Sequence, residues 1–422
     1  MKNDEWKGIV VFDLDGTLLC THLHICKAVH DTLECLALPD VEDETILSHI
    51  EKSTPSFLHA IAPTCRDFER LTFVFRKKER ECLEKDGRLF EGVVELLDTL
   101  NRSGFQLWIC SNGSPEYISL ALKSTKIEKY FHGILFSRGY EGKEQILSEK
   151  MKDPVSENII LVGDRLSDLV AAQKNGFPFI GTLYGYGSIE EQRQMHFVAK
   201  KPSDIYSWII RMTLFFQIWN RIQQDSSIRC IGINGIDTSG KSIFANDFSI
   251  FLQYKGQHVV LIHLDDFHNP KSLRMQGENE VEAYLANAFD IPRLIHTLLL
   301  PLKQFGKVSA KLKLLDLESD TYIKQKQYEI TRNSLVILEG VLLYRQPLEA
   351  FIDFKIYLDI DFNEMLHRAS IRDVPKFGND ILEKYREKYI PVQQKYQKFH
   401  MPKEKSDVVI NNMDPCFPYV VS

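Results

Sequence analysis

Short apolar runs rich in Val and Ile are the feature that most restricts what this chain can fold into. Three lie in the first half and five in the second, and each is four to seven residues long. Because they show little alternation with polar residues, they are typical of parallel strands buried on both faces of a sheet. The runs are Gly8–Phe12, Phe105–Cys110, Asn158–Gly163, Ile228–Ile233, His258–Leu264, Ser334–Leu338, Phe354–Leu358 and Asp407–Ile410.

Helical segments separate these runs in both halves. In Gly92–Leu100, for example, the apolar residues recur at helical spacing. Strand–helix alternation of this kind predicts two open, doubly wound α/β domains. We expect the first domain at 1–200, a connecting helix or linker at 201–227 and the second domain at 228–422. Residues 20–88 have helical periodicity without a clear strand, which predicts a helical insertion in the first domain.

Composition limits the classes of partner. The chain has 422 residues, a formal net charge of -6 and ordinary globular hydrophobic content, so we expect no nucleic-acid partner. The eight cysteines include no Cys-x-x-Cys pair and predict reduced thiols in a cytoplasmic protein. Met1–Trp6 lacks the apolar run of a signal peptide. The most apolar stretch, Trp208–Trp219, is too short to span a bilayer, so we expect no membrane partner.

Polar residues follow each predicted strand of the first half. Asp13 and Asp15 follow the first run, Ser111 follows the second, and Asp164 and Asp168 follow the third. Ligands of open parallel sheets bind at the carboxyl ends of the strands, so these side chains should converge. Four carboxylates in one crevice need a cation, and Mg²⁺ prefers oxygen ligands. One carboxylate can act as a nucleophile while another handles the proton.

These residues resemble the motifs of the haloacid dehalogenase superfamily. Asp13–Thr17 is similar to its first motif, and Ser111, Lys143 and Gly163–Asp164 with Asp168 are similar to the other three. The resemblance covers about 7–200 and implies a Rossmann-like core with 20–88 as its helical cap.

The resemblance also implies roles for these residues. Asp13 would attack a small phosphate ester to form an aspartyl-phosphate, and Asp15 would protonate the leaving group and then activate water. Ser111 and Lys143 would hold the phosphoryl oxygens. The implied Mg²⁺ ligands are Asp13, Asp15, Asp164 and Asp168. From the residues alone, Lys143 could instead be a solvated surface lysine, and Asp168 an ordinary acid in the first turn of a helix.

The second half contains a phosphate-binding loop. Its sequence follows a predicted strand and opens a helix-like run, so backbone N–H groups can surround phosphates at a helix N-terminus. Lys241 would reach the outer phosphates of ATP, and Ser242 would bind Mg²⁺. The loop consists of Gly235, Ile236, Asp237, Thr238, Ser239, Gly240, Lys241 and Ser242.

Two acids at later strand ends, Asp265 and Glu339, can lie beside the phosphates. One of them can deprotonate an acceptor hydroxyl while the other binds Mg²⁺. Arg368 and Arg372 lie four residues apart, so both guanidinium groups share one helical face. They suit a lid that closes on the transferring phosphate, and an exposed basic stripe is the alternative.

These segments resemble the uridine kinase and phosphoribulokinase family over about 228–412. The resemblance implies that Asp265 is the catalytic base and Glu339 lies near Mg²⁺, with Arg368 and Arg372 in the lid. It also implies an acceptor site formed by residues of the Asp265–His268 and Ala288–Pro292 segments: His268, Phe289 and Asp290. The base-reading segment of uridine kinases has no clear counterpart, because Leu314–Asp320 contains neither His nor Tyr. Uridine, another riboside and a different hydroxyl compound all stay open as acceptors.

The sequence therefore predicts a bifunctional phosphoryl-transfer protein that uses Mg²⁺ and ATP. The first domain would be a phosphatase and the second a P-loop NTPase-type kinase for a small, nucleoside-like acceptor. Two alternatives stay open: a phosphomutase joined to a kinase for a non-nucleoside acceptor, and a nucleotide-responsive regulator with one degenerate site.

Overall fold

The computed structural model describes residues 7–50, 54–136, 142–151 and 158–421. Met1–Trp6, the segment without the apolar run of a signal peptide, lies outside the described residues. The chain divides into two compact units, Met1–Ile209 and Ile210–Ser422. Each unit contains an open, mostly parallel sheet with intervening helices, which confirms the predicted pair of α/β domains.

The first unit is built on a six-stranded parallel sheet in the order β3-β2-β1-β4-β5-β6. All five residues of its central strand are buried, and that strand pairs with β2 on one side and β4 on the other. The carboxyl end of the central strand therefore lies between the ends of two neighbours. The strands are β1 (Gly8–Phe12), β2 (Phe105–Ser111), β3 (Phe131–Phe136), β4 (Ile159–Gly163), β5 (Phe179–Thr182) and β6 (Phe197–Ala199).

Within the described residues, the segment 20–88 that we predict as a helical insertion contains four helices and no strand. Leu19 and Leu89, the residues that flank this segment, form an isolated antiparallel bridge. Buried residues of the insertion, including Val29, Phe57 and Phe75, form a hydrophobic core of their own. We call this insertion, 20–88, the cap. The helices of the unit begin with those of the cap: α1 (Thr21–Cys35), α2 (Asp43–Ser48), α3 (Thr54–Ile61), α4 (Phe68–Asp86), α5 (Val93–Arg102), α6 (Pro115–Ser124), α7 (Lys143–Lys150), α8 (Leu166–Asn175) and α9 (Ile189–Gln192). A further helix, α10 (Pro202–Ile222), begins in this unit, and its residues from Ile210 onward belong to the second unit.

The second unit has a six-stranded sheet in the order β14-β13-β12-β7-β11-β8, in which only the β13–β14 pair is antiparallel, and a separate β9–β10 hairpin. Its central strand β7 is buried throughout and pairs with β11 and β12. The strands are β7 (Cys230–Gly235), β8 (His258–His263), β9 (Val308–Asp316), β10 (Thr321–Ile330), β11 (Ser334–Gly340), β12 (Phe354–Asp359), β13 (Val408–Asn411) and β14 (Tyr419–Val420).

In the second unit, loops connect the strands to the helices that follow them. The sequence of α11 begins directly after the phosphate-loop glycine Gly240. The helices are α11 (Lys241–Tyr254), α12 (Lys271–Arg274), α13 (Glu280–Asn287), α14 (Ile291–Leu294), α15 (Leu300–Phe305), α16 (Phe362–Arg372), α17 (Val374–Phe377), α18 (Asp380–Lys384) and α19 (Ile390–His400). Among the helices in the described part of the chain, none is both long and apolar enough to cross a bilayer.

Aromatic packing fixes α11, and with it the phosphate loop. Phe215 on α10 is fully buried, and its ring centroid lies 5.3 Å from those of Phe244 and Phe248 and 5.5 Å from that of Phe251. Edge-to-face and offset ring pairs at such distances add to the free energy of apolar burial. The helix that opens with Lys241 is therefore held by several rings at once.

Truncating Phe215 should destabilise the second unit. We expect Phe215→Ala to lower its free energy of unfolding by about 3–5 kcal/mol, because the change leaves a cavity among three rings. Hydrogen exchange of the β7 amides in the full chain measures this loss. The matched control is Ile243→Ala, since Ile243 is 64% exposed on the same helix. Equal effects of the two substitutions would contradict the packing role.

Candidate functional site

The first candidate site lies at the carboxyl end of β1. Asp13 is buried directly after the strand, and its backbone N–H donates to the Val162 carbonyl at 2.8 Å, in the neighbouring strand β4. Ser111 is the buried last residue of β2, which adjoins β1 on its other side. Gly16, in the turn that follows Asp13, has a φ of +79°, and a Cβ there would collide with the Asp164 carboxylate. The turn therefore allows the first motif to lie against β4.

Lys143 connects two of the predicted carboxylates. Its Nζ donates to Asp13 Oδ1 and to Asp168 Oδ1, both at 2.5 Å, and the side chain is 7% exposed. Burial opposes the charge of this ammonium, but the two carboxylates outweigh it and raise the pKa of Lys143 well above its usual range. This geometry excludes the solvated-lysine alternative.

Asp168 also caps α8, because its Oδ2 accepts from the Arg165 backbone N–H at 3.2 Å. Through Oδ2, Asp168 is therefore an acid in the first turn of a helix, as one of the two alternatives predicts. Its other oxygen, Oδ1, orients Lys143. A single acid links the end of β4 to α7.

Three buried carboxylates form a group suited to a divalent cation. Oxygens of Asp13, Asp164 and Asp168 lie within 4.8 Å of one another. Burial, followed by the repulsion of Asp168, raises the pKa of Asp164 to about 7, and burial raises that of Asp13 as well. Because one lysine cannot neutralise three buried acids, the donor set fits Mg²⁺, which accepts carboxylate oxygens. Asp164 Oδ2 also accepts from the Tyr186 backbone N–H at 2.7 Å.

Asp15, the remaining predicted ligand, is not a member of this group of three. Its Oδ1 accepts from Thr21 Oγ1 at 2.5 Å and from the Tyr117 hydroxyl at 2.6 Å. Thr21 belongs to α1 of the cap and Tyr117 to α6 of the core. Asp15 therefore lies where the cap joins the core.

A cavity of about 250 Å³ extends from these acids into the cap. On the core side it is lined by Asp13, Asp15, Ser111, Lys143 and Asp164. On the cap side it is lined by Ile25, Phe57, Phe75, Arg76, Glu79 and Arg80, among others. The cavity is large enough for a small metabolite, and the cap residues determine the shape of its far end.

The second candidate site follows β7. Gly235 ends this strand, and a Cβ there would approach the Leu358 carbonyl and Ser239 Oγ to 2.6 Å each. Gly240 has a φ of +90° and precedes the first residue of α11. Glycine at these two positions therefore allows the tight loop that the sequence predicts. Ile236, Asp237 and Thr238 complete the turn, and Asp237 Oδ2 accepts from Gln393 Nε2 at 3.0 Å.

The predicted phosphate and metal residues meet at this loop. Lys241 Nζ is buried and donates to the Ile236 carbonyl at 2.7 Å, so its ammonium lies inside the loop; burial lowers its pKa. Ser242 Oγ donates to Glu339 Oε1 at 3.2 Å. His263 Nδ1 lies 2.6 Å from the same oxygen, an ion pair when His263 is protonated. The hydroxyl and the carboxylate together fit Mg²⁺ beside a bound nucleotide.

Acceptor-side residues gather after β8. Asp265 and Asp266 lie in one turn of 3₁₀-helix, and His268 Nδ1 contacts the Asp265 carbonyl at 2.8 Å. The His268 ring centroid is 4.5 Å from that of Phe289. Asp290 caps α14 by accepting from the Arg293 backbone N–H at 3.0 Å, and its own N–H donates to the Phe267 carbonyl. The structure brings all the predicted acceptor residues to one edge of the sheet.

The two predicted lid arginines have different surroundings. Arg368 donates to Glu364, to the Thr238 carbonyl of the phosphate loop and to the Asn412 carbonyl, and its side chain is largely buried. The exposed-stripe alternative is therefore wrong for Arg368, which braces the loop. Arg372 is more exposed and forms a two-bond pair with Asp373 at 2.8 and 2.9 Å.

Comparisons with known families separate the two halves in the same way. The haloacid dehalogenase-like hydrolase family matches residues 10–182, and the phosphoribulokinase / uridine kinase family matches residues 230–416. The chain joins domains of these two families. We refer to them as the hydrolase domain and the kinase domain.

Individual relatives match one domain each. A phosphoglycolate phosphatase from Vibrio parahaemolyticus is 26% identical over 214 residues, which is 47% of this chain and 93% of that protein. A 5'-nucleotidase from Pseudomonas aeruginosa is 28% identical over 196 residues, covering 44% of this chain and 86% of that protein. The solved structure of a possible uridine kinase from Bacillus stearothermophilus is 24% identical with a TM-score of 0.38, and it covers 46% of this chain and 96% of that one.

Sequence reasoning missed several residues of both sites. In the hydrolase domain these are Tyr117, Tyr186 and the cap residues Arg76, Glu79 and Arg80; in the kinase domain they are His263 and Asn412. Only the three cap residues left a signal, because their i, i+3 and i+4 spacing puts them on one face of α4. That face was hidden in a helix that is charged on most sides.

The buried acids predict that stability depends on pH and on Mg²⁺. Asp13 and Asp164 have raised pKa values in the folded state, so folding binds protons, and stability falls as pH rises from about 4 to about 7. Without divalent cations, we expect a loss of about 1–3 kcal/mol across that range. Saturating Mg²⁺ should remove most of it, because the cation takes the place of the protons.

Hydrogen exchange of the β1 and β4 amides, corrected for intrinsic rates, measures this loss in the full chain. Asp164→Asn is the matched variant and should weaken both the pH dependence and the response to Mg²⁺. A pH-independent stability in the presence of EDTA would overturn the interpretation.

Proposed function

We propose that the hydrolase domain is a Mg²⁺-dependent phosphatase that acts on a small phosphate ester through Asp13. The observation that carries the proposal is the arrangement of Asp13, Lys143 and Asp164 at one end of a cavity whose other end is the cap. The phosphoryl group would lie against the acids and the rest of the ester against the cap. Ser111, which also lines the cavity, supplies a hydroxyl for a phosphoryl oxygen.

The chemistry follows from these positions. An Asp13 oxygen attacks phosphorus, the ester P–O bond breaks, and Asp15 gives its proton to the leaving oxygen. Asp15 then takes a proton from water, which attacks the aspartyl-phosphate, releases inorganic phosphate and restores Asp13. Lys143 holds Asp13 in place and offsets charge on the phosphoryl oxygens. Mg²⁺, held by Asp13 and Asp164 with Asp168 nearby, would supply further charge neutralisation.

We also propose that the kinase domain transfers the γ-phosphoryl group of ATP to a hydroxyl of a small metabolite, of which a nucleoside such as uridine is the first candidate. Asp265 would deprotonate the acceptor, while Lys241, Arg368 and Arg372 offset phosphate charge. Support comes from the grouping of Asp265 with the acceptor residues His268, Phe289 and Asp290 beside the phosphate loop.

The β9–β10 hairpin bears on the uridine assignment, because it contains Leu314–Asp320, the segment nearest to the base-reading segment of uridine kinases. The two aspartates of its Leu314–Asp320 segment are already paired: Asp316 with Lys324 Nζ at 2.8 Å, and Asp320 with the Lys271 backbone N–H at 2.9 Å and Arg274 Nη2 at 3.3 Å. They stabilise the hairpin and its contact with α12. Base recognition would therefore fall to other groups, and a panel of ribonucleosides and other hydroxyl compounds is the direct test of the acceptor.

Separate substitutions should silence the two activities independently. Asp13→Asn removes the nucleophile and should lower phosphate release by roughly 10³-fold or more while ATP-dependent phosphorylation persists. Lys241→Ala should do the reverse. Both variants are assayed for inorganic phosphate from an ester panel and for ADP from the acceptor panel. A regulator with one degenerate site would show only one activity in the unmodified chain, and a phosphomutase would yield an isomerised ester without free phosphate.

Adjacent acids of the kinase domain should respond differently to the same change. Asp265→Asn removes the proposed base and should lower kcat by about 10²–10⁴-fold. Asp266 Oδ2 accepts from Lys326 Nζ at 2.8 Å and from the Tyr328 hydroxyl at 3.1 Å, so Asp266→Asn should loosen the hairpin and mainly raise KM for the acceptor. Steady-state kinetics with the best acceptor separate these outcomes. An unchanged kcat in Asp265→Asn would remove the base assignment.

A further inference from the structure

A short chain of hydrogen bonds runs from the carboxylate of Asp15 into the interior of the hydrolase domain. The Tyr117 hydroxyl lies 2.6 Å from Asp15 Oδ1, and His24 Nε2 lies 3.2 Å from the same hydroxyl. His24 is 0% exposed, and within the described residues its Nδ1 has no hydrogen-bond partner. An unpaired nitrogen in a fully buried imidazole is unusual, because burying a polar atom without a hydrogen bond costs free energy.

The direction of each bond in this chain is fixed. The Tyr117 hydroxyl donates its one proton to Asp15 Oδ1, so it must accept from His24 Nε2–H. The unpaired atom, His24 Nδ1, is then the unprotonated nitrogen of a neutral imidazole. Burial lowers the pKa of His24 to about 4, and burial also raises that of Tyr117, so neither group changes charge near neutral pH.

Both donors to Asp15 approach the same oxygen. Thr21 Oγ1 and the Tyr117 hydroxyl each reach Oδ1, at 2.5 and 2.6 Å. With Oδ1 accepting two bonds, the proton that Asp15 exchanges with the leaving group or with water belongs on Oδ2. The carboxylate is thereby held with one oxygen against the protein and the other available to the cavity, which Asp15, Thr21 and Tyr117 all line.

We propose that Tyr117 is a positioning residue for acid–base catalysis by Asp15, and that His24 orients the Tyr117 hydroxyl from behind. This inference rests on the proposed phosphatase function. Local structure supports the arrangement: Ser114 caps α6 by accepting from the Tyr117 N–H, and the Tyr117 ring lies against Gly113, where a Cβ would approach Cδ1 to 2.8 Å. Thr21 and His24 are three residues apart on α1 and so share one helical face.

The dependence of rate on the leaving group tests this role. An alkyl phosphate needs a proton on its leaving oxygen, whereas p-nitrophenyl phosphate can release its phenolate without one. Tyr117→Phe keeps the ring and loses the hydroxyl. The quantity compared is kcat/KM, because it reports formation of the aspartyl-phosphate and excludes the later attack of water, which both esters share. For the alkyl ester kcat/KM should fall by about tenfold to a hundredfold. For p-nitrophenyl phosphate the loss should stay within about threefold. A purely structural role would lower both rates alike, and that result would overturn the proposal.

Variants of His24 extend the test. His24→Gln keeps an N–H donor and should retain most of the activity on the alkyl ester, whereas His24→Leu should move the rates in the same direction as Tyr117→Phe. Tyr206→Phe is the matched control, because it removes a phenolic hydroxyl near Ser103 in the same domain, outside the set of cavity-lining residues. It should leave both rates unchanged.

A measurement without turnover keeps the inference independent of the phosphatase proposal. Nitrogen-15 NMR of the full chain, with His24 assigned from His24→Gln, should show a neutral Nε2–H imidazole at pH 7. An imidazolium or an Nδ1–H tautomer would overturn the hydrogen-bond chain. If the unmodified protein hydrolyses neither ester but His24 has the expected tautomer, the proposed phosphatase function fails. The hydrogen bonds from Asp15 through Tyr117 to His24 are then still supported.

Discussion

The constraint on which both domains depend is the complete burial of one central parallel strand. In β1 and β7 every residue is buried, so a polar side chain is tolerated only where it finds a buried partner. Asn234, the penultimate residue of β7, donates to the Tyr396 hydroxyl at 2.6 Å. Polar groups are then confined to the strand ends, and the parallel pairing of the neighbouring strands brings those ends to one edge. Asp13 follows β1 and the phosphate loop follows β7 for this reason. The same packing rule places one candidate site in the hydrolase domain and another in the kinase domain.

How much of this could be predicted depends on the kind of signal in the sequence. All eight apolar runs contributed to strands, and most of these strands lie inside a sheet and are largely buried on both faces. The exception is β8, an edge strand whose residues are mostly only partly buried. The strands that went unnoticed are short or partly exposed. In β3 most residues are only partly buried, β5 has four residues and β6 has three, and in β10 most residues are exposed. Strands of this kind carry mixed composition and leave no continuous apolar run.

Whether a site residue could be predicted likewise depended on the signal that it leaves in the sequence. Motif residues such as Asp13, Lys241 and Glu339 were recognisable because each lies at the end of a strand, directly after one, or in a loop of fixed spacing. Tyr117, Tyr186 and Asn412 were not, since each reaches its partner from an element far away in the sequence: Tyr117 is 102 residues from Asp15, and Asn412 is 173 from Ser239. Such contacts are set by tertiary packing. The alternatives for Lys143 likewise could not be decided without the two carboxylates that surround it.

In the proposed phosphatase, the junction between the cap and the core links substrate shape to acid–base chemistry. The cap begins immediately after Leu19, and within its first turn of helix it supplies Thr21, which contacts Asp15, and then His24, which contacts Tyr117. The far wall of the cavity, including Arg76 and Arg80, belongs to the same cap. A substrate that shifts α1 through the cap would therefore also move Thr21, which donates to Asp15, and His24, which contacts the other donor, Tyr117. Because both functions depend on one helix, the cap can favour correct substrates by orienting the proton donor as well as by fitting their shape.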